Sequence, residues 1–144
     1  MSDETTAGST TNEATATVHA TMPLMATLGA WASEFSPEVV QLHLEWAPGL
    51  CTSNGLLHGG AIMALADAAG GASGFLNLPE GAAATSTIES KTNFLRGVKE
   101  GTVTATSRPL HAGSTTIVIE TEVTNGDRLV AKVTQTQAVL RPRT

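Results

Sequence analysis

The stretch from Gly59 to Leu76 constrains the fold of this chain more strongly than any other. It begins with two glycines, continues through small and aliphatic residues with Asp67 as its only charge, and is followed by Asn77-Leu78-Pro79. This pattern is typical of an α-helix, here about 27 Å long. A helix with a single charge has to be buried on nearly every side. The sequence therefore predicts a long central helix that is enclosed by a β-sheet together with a partner molecule.

The segments that flank this helix alternate apolar and polar residues, which predicts strands. They are residues 39–46, 85–98, 101–111, 114–124 and 129–140. Asn125-Gly126-Asp127 is typical of a hairpin turn between the last two. Residues 21–35 carry apolar side chains at helical spacing, which predicts a shorter helix with Thr21 as a possible N-cap. The expected fold class is α+β, with an antiparallel meander of four strands after the central helix.

Length and composition indicate one folded domain. The chain has 144 residues, enough for one domain with a real core and too few for two ordinary ones. Residues 1–20 are rich in Thr, Ala and Ser and have almost no large apolar side chains. Such a segment buries too little surface to offset the entropy of ordering it. We expect a flexible N-terminal arm over residues 1–20 and a single domain over residues 21–144.

Charge, cysteine content and hydropathy argue against nucleic-acid binding, a disulfide, a cysteine-based zinc site and a membrane span. The formal net charge is −5, and no basic face is apparent that could bind nucleic acid. Cys51 is the only cysteine, which excludes an internal disulfide and a cysteine-based zinc site. There is neither an apolar run of about 18 residues nor a basic-then-apolar leader. We therefore expect a cytoplasmic protein without a membrane span.

The start of the central helix carries the residues best suited to chemistry. Gly59 and Gly60 would let a ligand approach backbone N–H groups that the helix itself cannot pair, and the helix dipole favours negative charge there. Asp67 is a candidate base or nucleophile. Each of these residues also has a purely structural interpretation: the glycines would form only a tight turn, and Asp67 would pair with an arginine or a backbone group. His58, just before the helix, is either a general base or a helix cap.

Several short motifs resemble those of the hotdog-fold acyl-CoA thioesterases. They are Gly55-Leu56-Leu57-His58-Gly59-Gly60-Ala61, Ala64-Leu65-Ala66-Asp67, Asn93-Phe94-Leu95-Arg96, Val98-Lys99-Glu100-Gly101, His111-Ala112-Gly113-Ser114-Thr115-Thr116 and Arg141-Pro142-Arg143. The resemblance covers roughly residues 37–143. It is strongest to the Arthrobacter-type 4-hydroxybenzoyl-CoA thioesterases and to the phenylacetic-acid-degradation-type thioesterases. It implies a sheet of about five to six strands wrapped around the central helix.

The resemblance also implies roles for individual residues. The backbone N–H of Gly59 would stabilise the oxyanion of an aromatic or arylacyl-CoA thioester, and Asp67 would attack it or activate water. Further residues are expected to line the substrate site (His58, Gly60, Thr52, Asn54 and Gly71) or to bind coenzyme A (Arg96, Ser114, Thr115, Arg141 and Arg143). No cofactor or metal is implied.

Helix geometry adds a constraint to these roles. Gly59 and Asp67 are eight residues apart, which is about 12 Å along one helix axis. One carbonyl group cannot comfortably bridge that distance, so the acid beside a given Gly59 should come from another subunit. This agrees with the dimeric active sites of the family, and we expect a dimer or a tetramer in which an isolated monomer is inactive.

The chain departs from the 4-hydroxybenzoyl-CoA pattern at three positions. Asp67 stands where that pattern has Glu, Gly71 where it has a water-holding hydroxyl, and Thr52 where it has an amide. Gly70 and Gly71 are explained either by close helix packing or by a widened acyl pocket. The sequence therefore leaves open which group positions the hydrolytic water.

Three other functions compete with that of an aromatic acyl-CoA thioesterase. A medium-chain or broad-specificity acyl-CoA thioesterase and a non-catalytic acyl-CoA-binding hotdog protein both stay open. A hotdog hydratase-dehydratase would need an Asn-Pro-x-His-x-Asp run, which is absent.

Overall fold

The computed structural model describes residues 3–143, with side chains from residue 11 onward. These residues contain the α-helices α1 (Asp3–Thr21), α2 (Pro23–Leu28) and α3 (Gly59–Leu76). The strands are β1 (Trp31–Phe35), β2 (Val40–Glu45), β3 (Ala84–Phe94), β4 (Thr102–Ala112), β5 (Thr116–Asn125) and β6 (Arg128–Leu140). Two single-turn 3-10 helices, Pro48–Leu50 and Ser53–Gly55, connect β2 to α3.

The strands form one six-stranded antiparallel sheet in the order β1-β2-β4-β5-β6-β3, and α3 packs against five of them. A long helix held by such a sheet is the α+β hotdog architecture, so the predicted fold class is confirmed. The predicted bounds of the central helix are also confirmed. The glycine pair and the Asn-Leu-Pro segment that follows are local signals, and no distant contact is needed to interpret them.

The predicted four-strand meander is wrong in one respect. β4, β5 and β6 follow one another as hairpins, but β3 does not pair with β4. It lies at the edge of the sheet, where it pairs with β6 from Ala84 opposite Leu140 to Phe94 opposite Ala131. The alternation of residues in β3 predicts a strand, but its partner is determined by contacts that are distant in sequence.

The prediction of one helix over residues 21–35 is also wrong. α2 ends at Leu28 because Gly29 adopts a left-handed conformation with φ +82° and donates its N–H to Ala26 O at 3.1 Å. Trp31–Phe35 then forms edge strand β1. Thr21 is the last residue of α1 rather than an N-cap; its hydroxyl donates to Thr17 O at 2.8 Å.

The N-terminal segment differs from the arm that the sequence predicts. It is helix α1, which packs against β1 through the buried residues Ala14 and Val18. The Thr15 hydroxyl accepts from Ala32 N–H at 3.0 Å, and His19 Nε2 donates to Ala30 O at 2.6 Å. These contacts occupy backbone groups at and just before edge strand β1. Residues 1 and 2 of the predicted arm lie outside the described residues.

The core lies between α3 and the inner face of the sheet. Ile62, Leu65 and Ala69 of the helix are buried with the aliphatic side chains of β2, β4 and β5. One stripe of α3 stays exposed in the single chain, with Met63 at 40% and Phe75 at 57% exposure on either side of Asp67. The sheet alone therefore does not complete the enclosure that the sequence predicts.

Candidate active site

His58 determines how the chain enters α3. The Gly60 N–H donates to His58 Nδ1 at 2.7 Å. Because a backbone N–H can only donate, Nδ1 is the unprotonated nitrogen of the neutral ring, and the proton lies on Nε2. The His58 N–H donates to Leu50 O at 2.9 Å, which ties the preceding loop to the helix. In this arrangement His58 is an N-cap, and its Nδ1 is already occupied.

The backbone of Gly59 is left available by this arrangement. Within the described part of the chain its N–H has no hydrogen-bond acceptor. Gly59 lines a cleft of about 370 Å³, the Gly59 cleft, together with Thr52, Phe94 and Arg96. A Cβ on Gly59 would lie 3.1 Å from Phe94 Cζ, so the absence of a side chain keeps the ring close to the helix start. The Gly59 cleft therefore combines an unpaired N–H donor with a cationic side chain.

Asp67 lines a different space. It is exposed and borders a cavity of about 910 Å³, the Asp67 cavity, between α3, the N-terminal helices and the start of β3. Most of the wall is apolar, contributed by residues that include Met22, Leu24, Met25, Phe35, Phe75 and Leu76. Gly59 and Asp67 thus face two separate cavities of one chain.

The two helix glycines Gly70 and Gly71 have different environments. A Cβ on Gly70 would lie only 1.9 Å from Oε1 of Gln135, whereas a Cβ on Gly71 would meet nothing within 4 Å. Gly71 also lines the Asp67 cavity. Of the two explanations that the sequence left open, close packing fits Gly70 and additional space in a pocket fits Gly71.

Two buried glutamines of β6 were missed by reasoning from the sequence. Gln135 Nε2 lies 3.4 Å from Asp67 Oδ1, and Gln137 Nε2 donates to Thr87 Oγ1 at 2.6 Å. Gly74 faces Gln137, since a Cβ there would lie 3.0 Å from Gln137 Cγ. The burial of Gln135 could have been predicted from its position, because it lies on the same face of β6 as Ala131 and Val133. An amide that continues an apolar face is a candidate buried group.

The predicted substrate-site residues are distributed over three spaces. Thr52 lines the Gly59 cleft and Gly71 lines the Asp67 cavity. His58 and Gly60 line a third cleft of about 310 Å³ beside Cys51. Asn54 lies in a 3-10 turn with φ +62° and lines none of these three.

The residues predicted to bind coenzyme A separate into two groups. Arg96 lines the Gly59 cleft. Arg141 instead donates to two backbone carbonyls, Glu80 O at 3.3 Å and Ser114 O at 3.0 Å. This clamp joins the loop after α3 to the β4–β5 turn, where Thr115 O accepts from Val139 N–H at 2.9 Å. Arg143, near the C-terminus, is exposed.

His43 and its neighbours form a polar network on the sheet. Its Nδ1 lies 2.8 Å from Thr104 Oγ1, its Nε2 lies 2.6 Å from Ser33 Oγ, and its ring stacks on Trp31. Burial lowers the pKa of His43. Among the described residues, no three His, Cys, Asp or Glu side chains are close enough to hold a metal ion. No described helix combines the length and hydropathy needed to cross a bilayer.

Comparison with known proteins identifies the family. A family model described as the thioesterase superfamily matches residues 54–132, which include the start of α3 and Asp67. The chain belongs to the thioesterase superfamily. The enzyme class predicted from the sequence, a thioester hydrolase, is thereby confirmed.

Individual relatives refine this placement. ComA2 of Bacillus subtilis is named as an esterase. It is 39% identical over 88 residues, covering 60% of this chain and 70% of ComA2. The 1,4-dihydroxy-2-naphthoyl-CoA hydrolase of Escherichia coli is 39% identical over 69 residues, covering 48% of this chain and 50% of the relative, so the match spans about half of that enzyme. The crystal structure of a mutant of thioesterase PA1618 from Pseudomonas aeruginosa superposes with a TM-score of 0.80 at 26% identity, covering 88% of this chain and 93% of that one.

Proposed function

We propose that this thioesterase hydrolyses an aromatic or arylacyl-CoA thioester to the carboxylic acid and free coenzyme A. The observation that carries the mechanism is the separation of Gly59 and Asp67 into two cavities of one chain. An unpaired N–H at a helix start suits an oxyanion, and a carboxylate suits attack on the carbonyl carbon or activation of water. Neither cavity alone contains both groups.

The two groups would be brought together by a second copy of the chain. Two α3 helices running antiparallel about a two-fold axis would place the Asp67 of one chain beside the Gly59 of the other. The exposed stripe of α3 supports this arrangement, because Met63 and Phe75 on either side of Asp67 would be covered. Edge strand β3, where Ile88 is 66% exposed, offers unpaired backbone groups beside that stripe. A dimer is the minimal unit, and dimers pairing into a tetramer would leave this site unchanged.

The Asp67 cavity supports an aromatic acyl group. Its volume of about 910 Å³ is near the upper end of ligand pockets, and its walls are mainly apolar. Gly71 leaves space beside the carboxylate. The similarity to a naphthoyl-CoA hydrolase favours a fused or substituted ring, and benzoyl-type and phenylacetyl-type thioesters belong to the same proposed class. Arg96, which lines the same cleft as Gly59, would contact a phosphate of coenzyme A.

A medium-chain or broad-specificity acyl-CoA thioesterase is the second candidate. The size of the Asp67 cavity favours it, because a single ring would leave much of that volume empty. Met22 and Met25 in the wall are flexible side chains that can adapt to acyl groups of different shape.

The test is a panel of acyl-CoA thioesters with detection of the released thiol. The panel contains 1,4-dihydroxy-2-naphthoyl-CoA, 4-hydroxybenzoyl-CoA, phenylacetyl-CoA, octanoyl-CoA and acetyl-CoA. We expect the highest kcat/KM for an aromatic member and loss of activity in Asp67→Ala. A preference for octanoyl-CoA would favour the second candidate. Equal, very slow hydrolysis by wild type and Asp67→Ala would overturn the enzymatic proposal and leave acyl-CoA binding alone.

A further inference from the structure

Gln135 is a buried polar side chain that contacts the proposed catalytic acid. It lies on β6, is fully buried, and points between the helix positions Asp67 and Gly70. A fully buried amide is unfavourable unless its polar atoms are paired. Only one end of this amide is paired: Nε2 lies 3.4 Å from Asp67 Oδ1, while Oε1 is buried without a donor among the described residues.

The orientation of this amide follows from charge. Turning it over would bring Oε1 against the Asp67 carboxylate and would point the NH₂ group away from it. An ionised carboxylate only accepts hydrogen bonds, so the donor has to face it. Nε2 is therefore the atom directed at Oδ1, and the unpaired Oε1 is the consequence of that contact.

Gly70 is the counterpart of Gln135 on α3. Its missing side chain leaves the space that the amide occupies, since a Cβ there would lie 1.9 Å from Oε1 and 2.5 Å from Cδ. Glycine in the middle of a helix is destabilising relative to alanine. The chain thus combines two features that each disfavour folding, a helix glycine and a half-paired buried amide. Their joint result is a hydrogen-bond donor at the carboxylate.

We propose that Gln135 is a positioning residue for Asp67 and that Gly70 is the glycine that admits it. The inference rests on the proposed function, in which Asp67 attacks the thioester or activates water. By holding Oδ1 from the sheet side, Gln135 limits rotation of the carboxylate and leaves Oδ2, which has no partner within the described part of the chain, for the reaction. Gln135 contacts Asp67 but lines none of the three cavities. Its contribution is the orientation of the acid.

The first test is Gln135→Leu, which keeps a similar volume and removes the donor. On the best substrate of the thioester panel, we expect kcat to fall by about 10-fold to 100-fold, because small misplacements of a reacting group have effects of this size. KM should change much less, and the melting temperature should be retained or raised because a half-paired amide has gone. Gly70→Ala, which leaves Gln135 in the sequence but displaces its amide, should lower kcat in the same direction.

A matched control separates positioning from packing. Thr121→Val removes a buried polar group from neighbouring strand β5, where Thr121 Oγ1 lies 2.6 Å from Ser107 Oγ, away from both cavities. It should lower the melting temperature and leave kcat unchanged. If Gln135→Leu and Gly70→Ala both keep the wild-type kcat, or if Thr121→Val lowers kcat as much as they do, the inference is overturned.

A pair of compensating substitutions gives a result that a role in packing alone would not produce. Gln135→Asn withdraws the donor by one methylene, and Asp67→Glu extends the acceptor by one. We expect the double variant to have a higher kcat than Gln135→Asn alone, whereas independent defects would make it lower. Full activity of Gln135→Leu with an inactive Asp67→Ala would overturn only this inference. Full activity of Asp67→Ala would overturn the proposed function as well.

Discussion

The start and the middle of α3 contribute to the proposed reaction in different ways. At the start, the contribution is the backbone N–H of Gly59, which has no acceptor in the described part of the chain because the His58 cap pairs with Gly60 instead. In the middle, the contribution is a side chain, Asp67, which Gln135 of a strand far away in sequence contacts. The first group depends on local helix geometry and the second on tertiary packing. Substitutions in the two regions should therefore affect catalysis by different amounts.

The middle of α3 should show the largest effect. Asp67→Asn keeps the size of the side chain and removes the charge, and we expect kcat to fall by about 10³-fold or more. Because Asp67 forms no ion pair in the described part of the chain, the melting temperature should barely change. Asp127→Asn makes the same chemical change in the β5–β6 turn and should be fully active. Retention of activity by Asp67→Asn would remove the proposed role of the carboxylate.

The start of α3 can be tested by removing a single hydrogen-bond donor. Gly59 is the first residue of the helix, where proline is tolerated, and His58 has φ −63° and ψ +134°, which a following proline accepts. Gly59→Pro eliminates the N–H, while Gly59→Ala keeps it and adds the same contact with Phe94. We expect kcat of the proline variant to lie about 10²-fold to 10³-fold below that of the alanine variant. Equal rates for the two would show that this N–H does not stabilise the oxyanion.

The space beside Asp67 should influence the choice of substrate more than the chemistry. Gly71→Leu adds an aliphatic side chain to the Asp67 cavity, at a position where a Cβ meets nothing. We expect kcat/KM for 1,4-dihydroxy-2-naphthoyl-CoA to fall by about tenfold or more relative to that for acetyl-CoA. Competition between the two thioesters in one reaction measures this ratio directly. An unchanged ratio would mean that the acyl group does not occupy the cavity.

His43 serves as a reference region away from both ends of the site. Burial lowers its pKa, so below about pH 6.5 the unfolded chain takes up a proton more readily than the folded one. The free energy of unfolding should therefore decrease as the pH falls through that value and should be constant above it. His43→Gln should flatten this dependence without changing kcat at pH 8. Urea unfolding at several pH values measures the effect, and an unaltered pH dependence in the variant would assign it to other groups.

The same contrast explains what could be predicted from the sequence. The bounds of α3 and the capping role of His58 depend on neighbouring residues, and both can be inferred from Gly59-Gly60 and Asn77-Leu78-Pro79. The apolar residues Leu28, Trp31 and Phe35 fit one face of a single helix, but they fit a helix followed by a strand equally well. The local pattern therefore does not show where α2 ends and β1 begins. The partner of β3 and the burial of Gln135 depend on packing between residues at least 37 positions apart in sequence. The contacts of Arg141 with two backbone carbonyls likewise depend on tertiary packing, and its predicted binding of coenzyme A stays a prediction.

Complementation distinguishes a site assembled from two chains from a site contained in one chain. Chains carrying Asp67→Asn and chains carrying Gly59→Pro are co-expressed with different affinity tags, and hetero-oligomers are purified through both tags. If the N–H and the carboxylate of one site come from different chains, a heterodimer contains one site with both defects and one intact site. We therefore expect about half of the wild-type activity per dimer. If both groups came from the same chain, every site would carry one defect, and an inactive hetero-oligomer would contradict the account.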